Sequence, residues 1–160
     1  MVRKIDSMQV LDRLKATVAA LPEKSVELQV SEDRDPRACF PGWRFRITPT
    51  KPDSASLQGL VDSVFGVWFI IGQATRGEVF LAGRNGKQNK IKEDAFFDIC
   101  HAVFTTHFSE EVTYSSSNWV LRSRVTLRAG ERMVRIGGHQ ILWWLYPRRT
   151  TKHFSYEPYY

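Results

Sequence analysis

Cysteine is scarce in this sequence of 160 residues. Its two cysteines, Cys39 and Cys100, cannot build the disulfide framework that stabilises many small secreted domains. The simplest interpretation is two free thiols in a reducing compartment. Residues 1–10 lack the apolar core of a secretory signal, and no apolar run approaches the ~20 residues of a membrane span. We therefore expect an intracellular protein that does not contact a membrane.

Motifs of several enzyme classes are also missing. The sequence contains neither the G-x-x-x-x-G-K-[ST] phosphate loop nor the G-x-S-x-G nucleophile elbow. A two-metal nuclease of the restriction type would need Glu-x-Lys on a central strand, where the sequence has Glu78-Val79-Phe80. No residue near Cys39 in sequence would activate it as a nucleophile. These absences favour a protein that is not an enzyme, and no cofactor is expected.

Histidine could still supply chemistry. His101 and His107 follow Cys100, but the close ligand pairs of a zinc site are missing, so no metal is predicted. His139 lies between basic segments and is the best candidate for acid–base catalysis in a metal-independent nuclease, with His101 second. An ordinary surface histidine is the commoner explanation for both residues.

Positive charge is concentrated in the C-terminal part of the chain. Residues 1–116 contain 15 Lys+Arg and 15 Asp+Glu, whereas residues 117–160 contain 8 basic and 2 acidic residues. The second segment therefore accounts for the whole net charge of +6. Such asymmetry favours a polyanionic partner, either nucleic acid or an acidic protein. A solvated face that only keeps the protein soluble would also explain it.

The clearest pattern lies in residues 118–136. From position 119 to 127 the odd positions are mostly apolar and the even positions are mostly arginine or threonine, which is the period of a half-buried strand. A two-residue turn at Gly130-Glu131 suits a type II′ hairpin, because glycine tolerates positive φ. The register that follows places two apolar pairs on the core side, Leu127–Val134 and Val125–Ile136. It places four arginines on the other side: Arg122, Arg124, Arg128 and Arg135.

Other elements follow from periodicity and capping. Apolar stripes predict helices over residues 6–21 and about 92–106, and a short third helix after Asp53 or Ser54, with its stripe from Leu57 to Phe65. Alternating or apolar runs predict strands at 26–30, 43–47, 67–71, 78–82 and from residue 112. A turn at Gly137-Gly138 is predicted to precede a strand over 140–146, in which Trp143 and Trp144 point to opposite faces.

Hairpins dominate this order of elements. We therefore predict a single α+β domain over residues 1–160, a mostly antiparallel sheet with about three helices packed on one face. Its other face would be free for the arginines. The 42% hydrophobic content is sufficient for a core. Residues 147–160, which mix basic and aromatic side chains, are a candidate for a flexible C-terminal tail.

Basic and aromatic side chains are interleaved near the C-terminus. This combination suits nucleic acid, because arginine contacts phosphates and aromatic rings stack on unpaired bases. The predicted binding residues are Arg122, Arg124, Arg128, Arg135, Trp144, Tyr146, Arg148, Arg149, Lys152 and Phe154, with Arg84, Lys87 and Lys90 from a basic loop. If the strands at 26–30 and 43–47 pair, Glu27 is predicted to lie near Arg44 or Arg46, and this pairing is preferred to a ligand role for these arginines.

Three functions are compatible with these features. The leading hypothesis is a small module that binds nucleic acid, with RNA or single strands favoured, through the C-terminal sheet face. The first alternative is a protein-interaction module, an inhibitor or adaptor, which uses the same aromatic and arginine surface. The second is a small metal-independent nuclease that uses His139 or His101. The sequence leaves the oligomeric state open.

Overall fold

Two antiparallel sheets and two α-helices form the described part of the chain. The computed structural model describes residues 5–33, 42–64, 66–81 and 89–160. In chain order the elements are α1 (Ser7–Ala19), β1 (Val26–Asp33), β2 (Gly42–Pro49), β3 (Leu57–Asp62), β4 (Gly66–Ile71), β5 (Thr75–Phe80), α2 (Lys90–Thr105), β6 (Phe108–Ser115), β7 (Val120–Ala129), β8 (Arg132–His139), a 3-10 helix (Trp143–Leu145) and β9 (Arg149–Tyr156). The α+β class and the antiparallel pairing are confirmed. The expected single sheet with about three helices is corrected to two sheets and two α-helices.

The strand orders show how the two sheets are built. The first sheet has the order β1-β2-β3-β4-β5, so each strand pairs with its neighbour in sequence. The second has the order β8-β7-β6-β9, in which the last strand returns to lie beside β6. Helix α1 packs on β1, β2 and β3, helix α2 packs on β5 and β7, and β5 lies close to β7 and β8. Neither helix of the described residues is long and apolar enough to cross a membrane.

Helix α1 begins and ends close to where the sequence predicts. Asp6 caps its start, and its side chain accepts a hydrogen bond from the Gln9 amide at 3.0 Å. Pro22 lies shortly beyond its end, where it cannot continue a helix. The buried stripe recurs at three- and four-residue spacing and consists of Val10, Leu11, Leu14 and Val18. This stripe fixes which side of α1 faces the first sheet.

Phe96 of α2 lies at the centre of the core. Its ring centroid is 5.2 Å from that of Phe97, 5.5 Å from that of Phe69 and 6.4 Å from that of Phe45. Phe69 and Phe45 come from β4 and β2, so the helix is joined to two strands of the first sheet through ring contacts. The predicted strand at residues 67–71 is confirmed, because β4 lies between β3 and β5.

The third predicted helix is wrong. Residues Leu57–Asp62 form β3, which pairs with both β2 and β4. Leu57 and Val61 are buried, whereas Leu60 lies on the outer face. The spacing of these three residues also fits a helix, but two neighbouring strands supply backbone partners that local periodicity does not reveal. Phe65, the last residue of the predicted stripe, lies outside the described residues.

The segment after β7 also departs from the prediction. Strand β8 runs through Gly137-Gly138 and ends at His139, so the predicted turn there is wrong. The predicted strand over 140–146 is wrong as well, because this segment contains the 3-10 helix. Leu142 precedes that helix with φ +61, and a left-handed residue interrupts extended backbone. The two tryptophans therefore do not alternate across a sheet.

The C-terminal segment contributes to both the second sheet and the core. Residues Arg149–Tyr156 form β9, within the segment that the sequence marks as a candidate tail. Tyr159 is buried, its hydroxyl donates to the Ala55 carbonyl at 2.6 Å, and its amide donates to the Phe104 carbonyl at 2.9 Å. These bonds connect the C-terminal residues to α2 and to the segment before β3.

Candidate nucleic-acid interface

Strands β7 and β8 form the hairpin predicted from the sequence. They turn at Gly130-Glu131, and Gly130 has φ +61. The predicted apolar pairs are observed: Leu127 opposite Val134 and Val125 opposite Ile136. Three of these four side chains are buried and Val134 is half-buried. Because side chains alternate along a strand, the buried set fixes the arginines on the opposite face.

That opposite face, here called the arginine face, consists of Arg122, Arg124 and Arg128 of β7 and Arg135 of β8. The buried side of β7 packs on α2, so the arginines project away from the helix. The side chains of Arg124, Arg128 and Arg135 form no ion pair or hydrogen bond with a residue that the structure describes. Three guanidinium groups are therefore available to an anionic partner.

One carboxylate lies among these cations. Glu111 of β6 is 3.9 Å from Arg122, a separation at which a partly exposed pair contributes little. Across the sheet Glu111 faces Arg124 on one side and His153 on the other. His139 faces Arg122 at the end of β8 and is exposed. Of the four arginines, Glu111 thus lies close to Arg122 and Arg124 only, and the face keeps an excess of positive charge.

Trp143 contacts two arginines, which sequence reasoning missed. The guanidinium carbons of Arg122 and Arg149 lie 5.2 Å and 5.0 Å from the centroid of its ring, within the range of cation–π attraction. Arg149 also donates to the Trp144 carbonyl at 3.2 Å. The 3-10 helix is therefore anchored to the arginine side of the sheet. The predicted strand places the two tryptophans on opposite faces and Trp144 is the predicted binding residue, whereas the ring that contacts the arginines is that of Trp143.

The 3-10 helix lies within a largely exposed segment, here called the apolar loop (residues 141–146). Ile141 is 88% exposed, Leu145 is 64% exposed and Trp144 is 54% exposed. Tyr146 is also exposed. Large apolar side chains clustered in solvent commonly mark an interaction site. Trp144 and Tyr146 are therefore accessible, as binding roles for them require.

The remaining predicted residues do not all join the arginine face. Arg148 is exposed and adjoins Arg149, which lies in line with the outer side of β6. Lys152 lies on the opposite side of β9, where its Nζ is 5.6 Å from the centroid of the Tyr114 ring. Phe154 shares that side and packs on the core. Lys90 begins α2 near Glu93 and Asp94. Arg84 and Lys87 lie outside the described residues.

The two arginines of β2 do not pair as predicted. Arg44 contacts Asp33, with its Nε and one terminal nitrogen each 3.1 Å from Oδ1. Glu27 instead accepts a hydrogen bond from Gln29 at 2.8 Å, and it faces Thr48 across the strands. The register places Gln29 opposite Arg46, and Glu27 lies two residue pairs further along, opposite Thr48.

The binding chemistry of the arginine face is inferred from its geometry, because comparison with known proteins found no match. The chain matches no protein-family model, no curated protein and no solved structure. Guanidinium groups on neighbouring strands can contact successive phosphates, and exposed indole and phenol rings can stack on bases. No group of His, Cys, Asp and Glu side chains within the described residues is arranged to hold a metal ion.

Neither candidate histidine, His101 or His139, forms a recognisable catalytic arrangement with the residues that the structure describes. His101 is exposed on α2, and its Nδ1 lies 3.4 Å from the Thr105 hydroxyl. His139 has no hydrogen-bond partner among the described residues that would orient it as a base. Burial raises the pKa of the Cys100 thiol, which disfavours a nucleophilic thiolate. Cys39 lies outside the described residues.

Proposed function

We propose that this protein binds single-stranded nucleic acid, RNA or DNA, through the arginine face. The observation that carries the proposal is the set of three arginines, Arg124, Arg128 and Arg135, without partners among the described residues, on one face of the second sheet. The adjoining apolar loop exposes Trp144 and Tyr146. Cations and rings side by side provide the two contacts that single strands need, to phosphate and to base.

The two contacts have different energetic origins. Each phosphate that an arginine neutralises releases condensed counterions, so binding weakens as salt rises. Stacking of a base on an aromatic ring contributes about 1–3 kcal/mol and tolerates every base. Weak sequence preference is therefore expected. Single strands are favoured over duplexes because only unpaired bases present their faces to Trp144.

The decisive measurement is the salt dependence of oligonucleotide affinity by fluorescence anisotropy. Arg124→Glu with Arg135→Glu should weaken binding similarly for all sequences and flatten the log–log salt slope by about 1.4, at about 0.7 per phosphate for single strands. The matched control is Lys15→Glu with Lys92→Glu, which makes the same charge change on the exposed sides of α1 and α2. Arg13 is unsuitable as a control, because it pairs with the buried Glu93 and with Asp94, whereas the pair of Lys15 with Asp12 at 3.5 Å is exposed on both sides.

Two results would contradict the proposal. Equal weakening by the two double variants would mean that the attraction comes from net charge and not from the arginine face. If the wild-type protein shows no salt-sensitive binding to any oligonucleotide at low salt, nucleic-acid binding itself is wrong. Thermal unfolding of each variant, measured by circular dichroism, ensures that a loss of affinity is not a loss of fold.

The apolar loop favours a second candidate function, a protein-interaction module that binds its partner through apolar contacts. Tryptophan, tyrosine and arginine are the residues enriched at protein–protein hot spots, and Ile141 and Leu145 would be covered by a partner. Such an interface should persist at high salt, whereas phosphate contacts should not. A protein retained from extract in high salt by wild type, but not by Ile141→Ser with Leu145→Ser, would support this candidate.

A further inference from the structure

The outer face of the first sheet forms a groove that the sequence does not predict. Cross-strand pairing aligns four side chains from β2 to β5: Arg46, Gln58, Ile70 and Arg76. Leu60 and Trp68 face each other in the next row. These residues line a cavity of about 710 Å³. The groove has apolar side chains at its centre and arginines on both sides.

Two arginines of this groove are available to a ligand. Arg44 also lines the cavity, but Asp33 neutralises it. Neither Arg46 nor Arg76 forms a side-chain hydrogen bond or ion pair with a described residue. Their strands are three spacings apart, which separates their backbones by about 14 Å. Two separated cations suit a chain with charges along its length better than they suit a single carboxylate.

The groove is continuous with the arginine face. A second cavity of about 440 Å³ shares Gln58, Ile70 and Arg76 with the first. It shares Arg122 and His139 with a third cavity of about 150 Å³, which Arg124 and Arg135 also line. The Ser123 hydroxyl donates to the Ala74 carbonyl at 3.4 Å where the two sheets meet. Six arginines line the three cavities, and no acidic residue of the described chain does.

We propose that a single strand bound at the arginine face continues across this junction into the groove, where Arg76 and Arg46 contact phosphates and Trp68 contacts a base. This inference rests on the proposed function and extends its site across both sheets. Trp68 is 45% exposed, and its neighbours Leu60 and Ile70 complete an apolar surface against which a base can lie. Glu78 of β5 faces Trp68 across the strands. A carboxylate at this position would repel a phosphate that lay beyond Trp68. The path therefore ends near Trp68.

Oligonucleotide length tests this path. Short strands should occupy the arginine face alone, where the available arginines are densest, and only longer strands should reach the groove. Affinity and salt slope are measured for oligothymidylates from about 4 to about 16 nucleotides, the site-size range of small single-strand-binding folds. Arg46→Glu with Arg76→Glu should leave short strands unaffected and reduce the salt slope for long strands by about 1.4. Arg46→Gln with Arg76→Gln should give a smaller change of the same kind.

The outcomes separate this inference from the function on which it rests. Suppose that the wild-type protein binds oligonucleotides, and that the groove variants bind long strands with the same affinity and salt slope as the Lys15→Glu with Lys92→Glu control. The path is then wrong, and binding at the arginine face is unaffected by that result. Equal loss for short and long strands would also overturn the path. If the wild-type protein binds no length, the proposed function fails and the inference fails with it. If the double glutamate variant does not fold, the salt slope of Arg46→Gln with Arg76→Gln tests the path instead.

Discussion

Tyr156 donates its phenolic hydrogen to Oε2 of Glu110 at 2.7 Å, and both side chains are buried. The same carboxylate accepts hydrogen bonds from the amides of Gln73, Ala74 and Thr75 and from the Thr75 hydroxyl, at 2.7–2.9 Å. The amides of Gln73 and Ala74 belong to the turn between β4 and β5, and Thr75 is the first residue of β5. Glu110 therefore connects the first sheet to the second, and five donors replace the water that its charge loses on burial.

Glu110→Gln should lower the free energy of unfolding by roughly 3 kcal/mol or more, because its amide group cannot accept all five hydrogen bonds and leaves buried donors unpaired. Glu111→Gln is the matched control. Its side chain is half-buried on the outer face, so the change should cost less than about 1 kcal/mol. Urea unfolding measures both variants. Costs that agree within about 0.5 kcal/mol would show that the Glu110 network does not stabilise the fold.

Gly72→Ala should destabilise the protein more than Gly130→Ala does. Both glycines have positive φ, +64 and +61, so each substitution carries the left-handed penalty of about 1–2 kcal/mol. At Gly72 a Cβ would also collide with the Glu110 carboxylate and the Tyr156 hydroxyl, whereas at Gly130 nothing lies within 4 Å. Melting temperatures of the two variants provide the comparison. Equal losses would mean that the turn moves away from Glu110 at little cost.

Local pattern predicted the hairpin register but not the 3-10 helix. In residues 118–136 the period, the turn residue and the burial pattern all favour one pairing, and a shift by one residue would expose Val125 and Leu127. From Ile141 to Leu145 the sequence offers only apolar residues, which fit a strand or a buried helix equally well. The left-handed backbone of Leu142 ends the extended chain before the 3-10 helix. Leucine rarely adopts this conformation, so the sequence does not predict it.

The groove of the first sheet could not be predicted for a different reason. Arg46 and Arg76 are 30 positions apart in the sequence, and only the order of the strands aligns them. Assigning β3 as a helix removed the strand that connects β2 to β4. The arginine face, by contrast, needs only one hairpin. Contacts between residues close in sequence could therefore be predicted from the residue pattern. Contacts that depend on the order of strands in the sheet could not.

Stability should fall in alkaline solution. Burial and the adjacent Glu110 raise the pKa of Tyr156 above its ordinary value of 10.0, because both disfavour a phenolate. Above that pH the unfolded chain releases the proton and the folded chain retains it. The contribution of Tyr156 to the free energy of unfolding is therefore complete below pH 10. It declines above pH 10 by up to about 1.4 kcal/mol per pH unit.

Tyr156→Phe isolates this effect. The variant should start less stable, having lost a hydrogen bond, but its stability should decline less steeply above about pH 10 than that of the wild type. Burial raises the pKa of Tyr159 as well, so part of the slope should remain. Urea unfolding at several pH values provides the slopes. Identical slopes in the two proteins would mean that Tyr156 ionises equally easily in the folded and unfolded states.

Trp144 and Arg149 should affect nucleic-acid binding in different ways. If Trp144 stacks on a base, Trp144→Ala should cost about 1–3 kcal/mol of binding energy at every salt concentration and leave the salt slope unchanged, since stacking releases no counterions. Arg149→Ala should flatten the slope. Trp119→Ala is the matched control, because that ring is 65% exposed in the connection between β6 and β7. Anisotropy titrations across salt concentrations separate the two effects. A similar loss for Trp119→Ala, or a flattened slope for Trp144→Ala, would exclude Trp144 as a stacking residue.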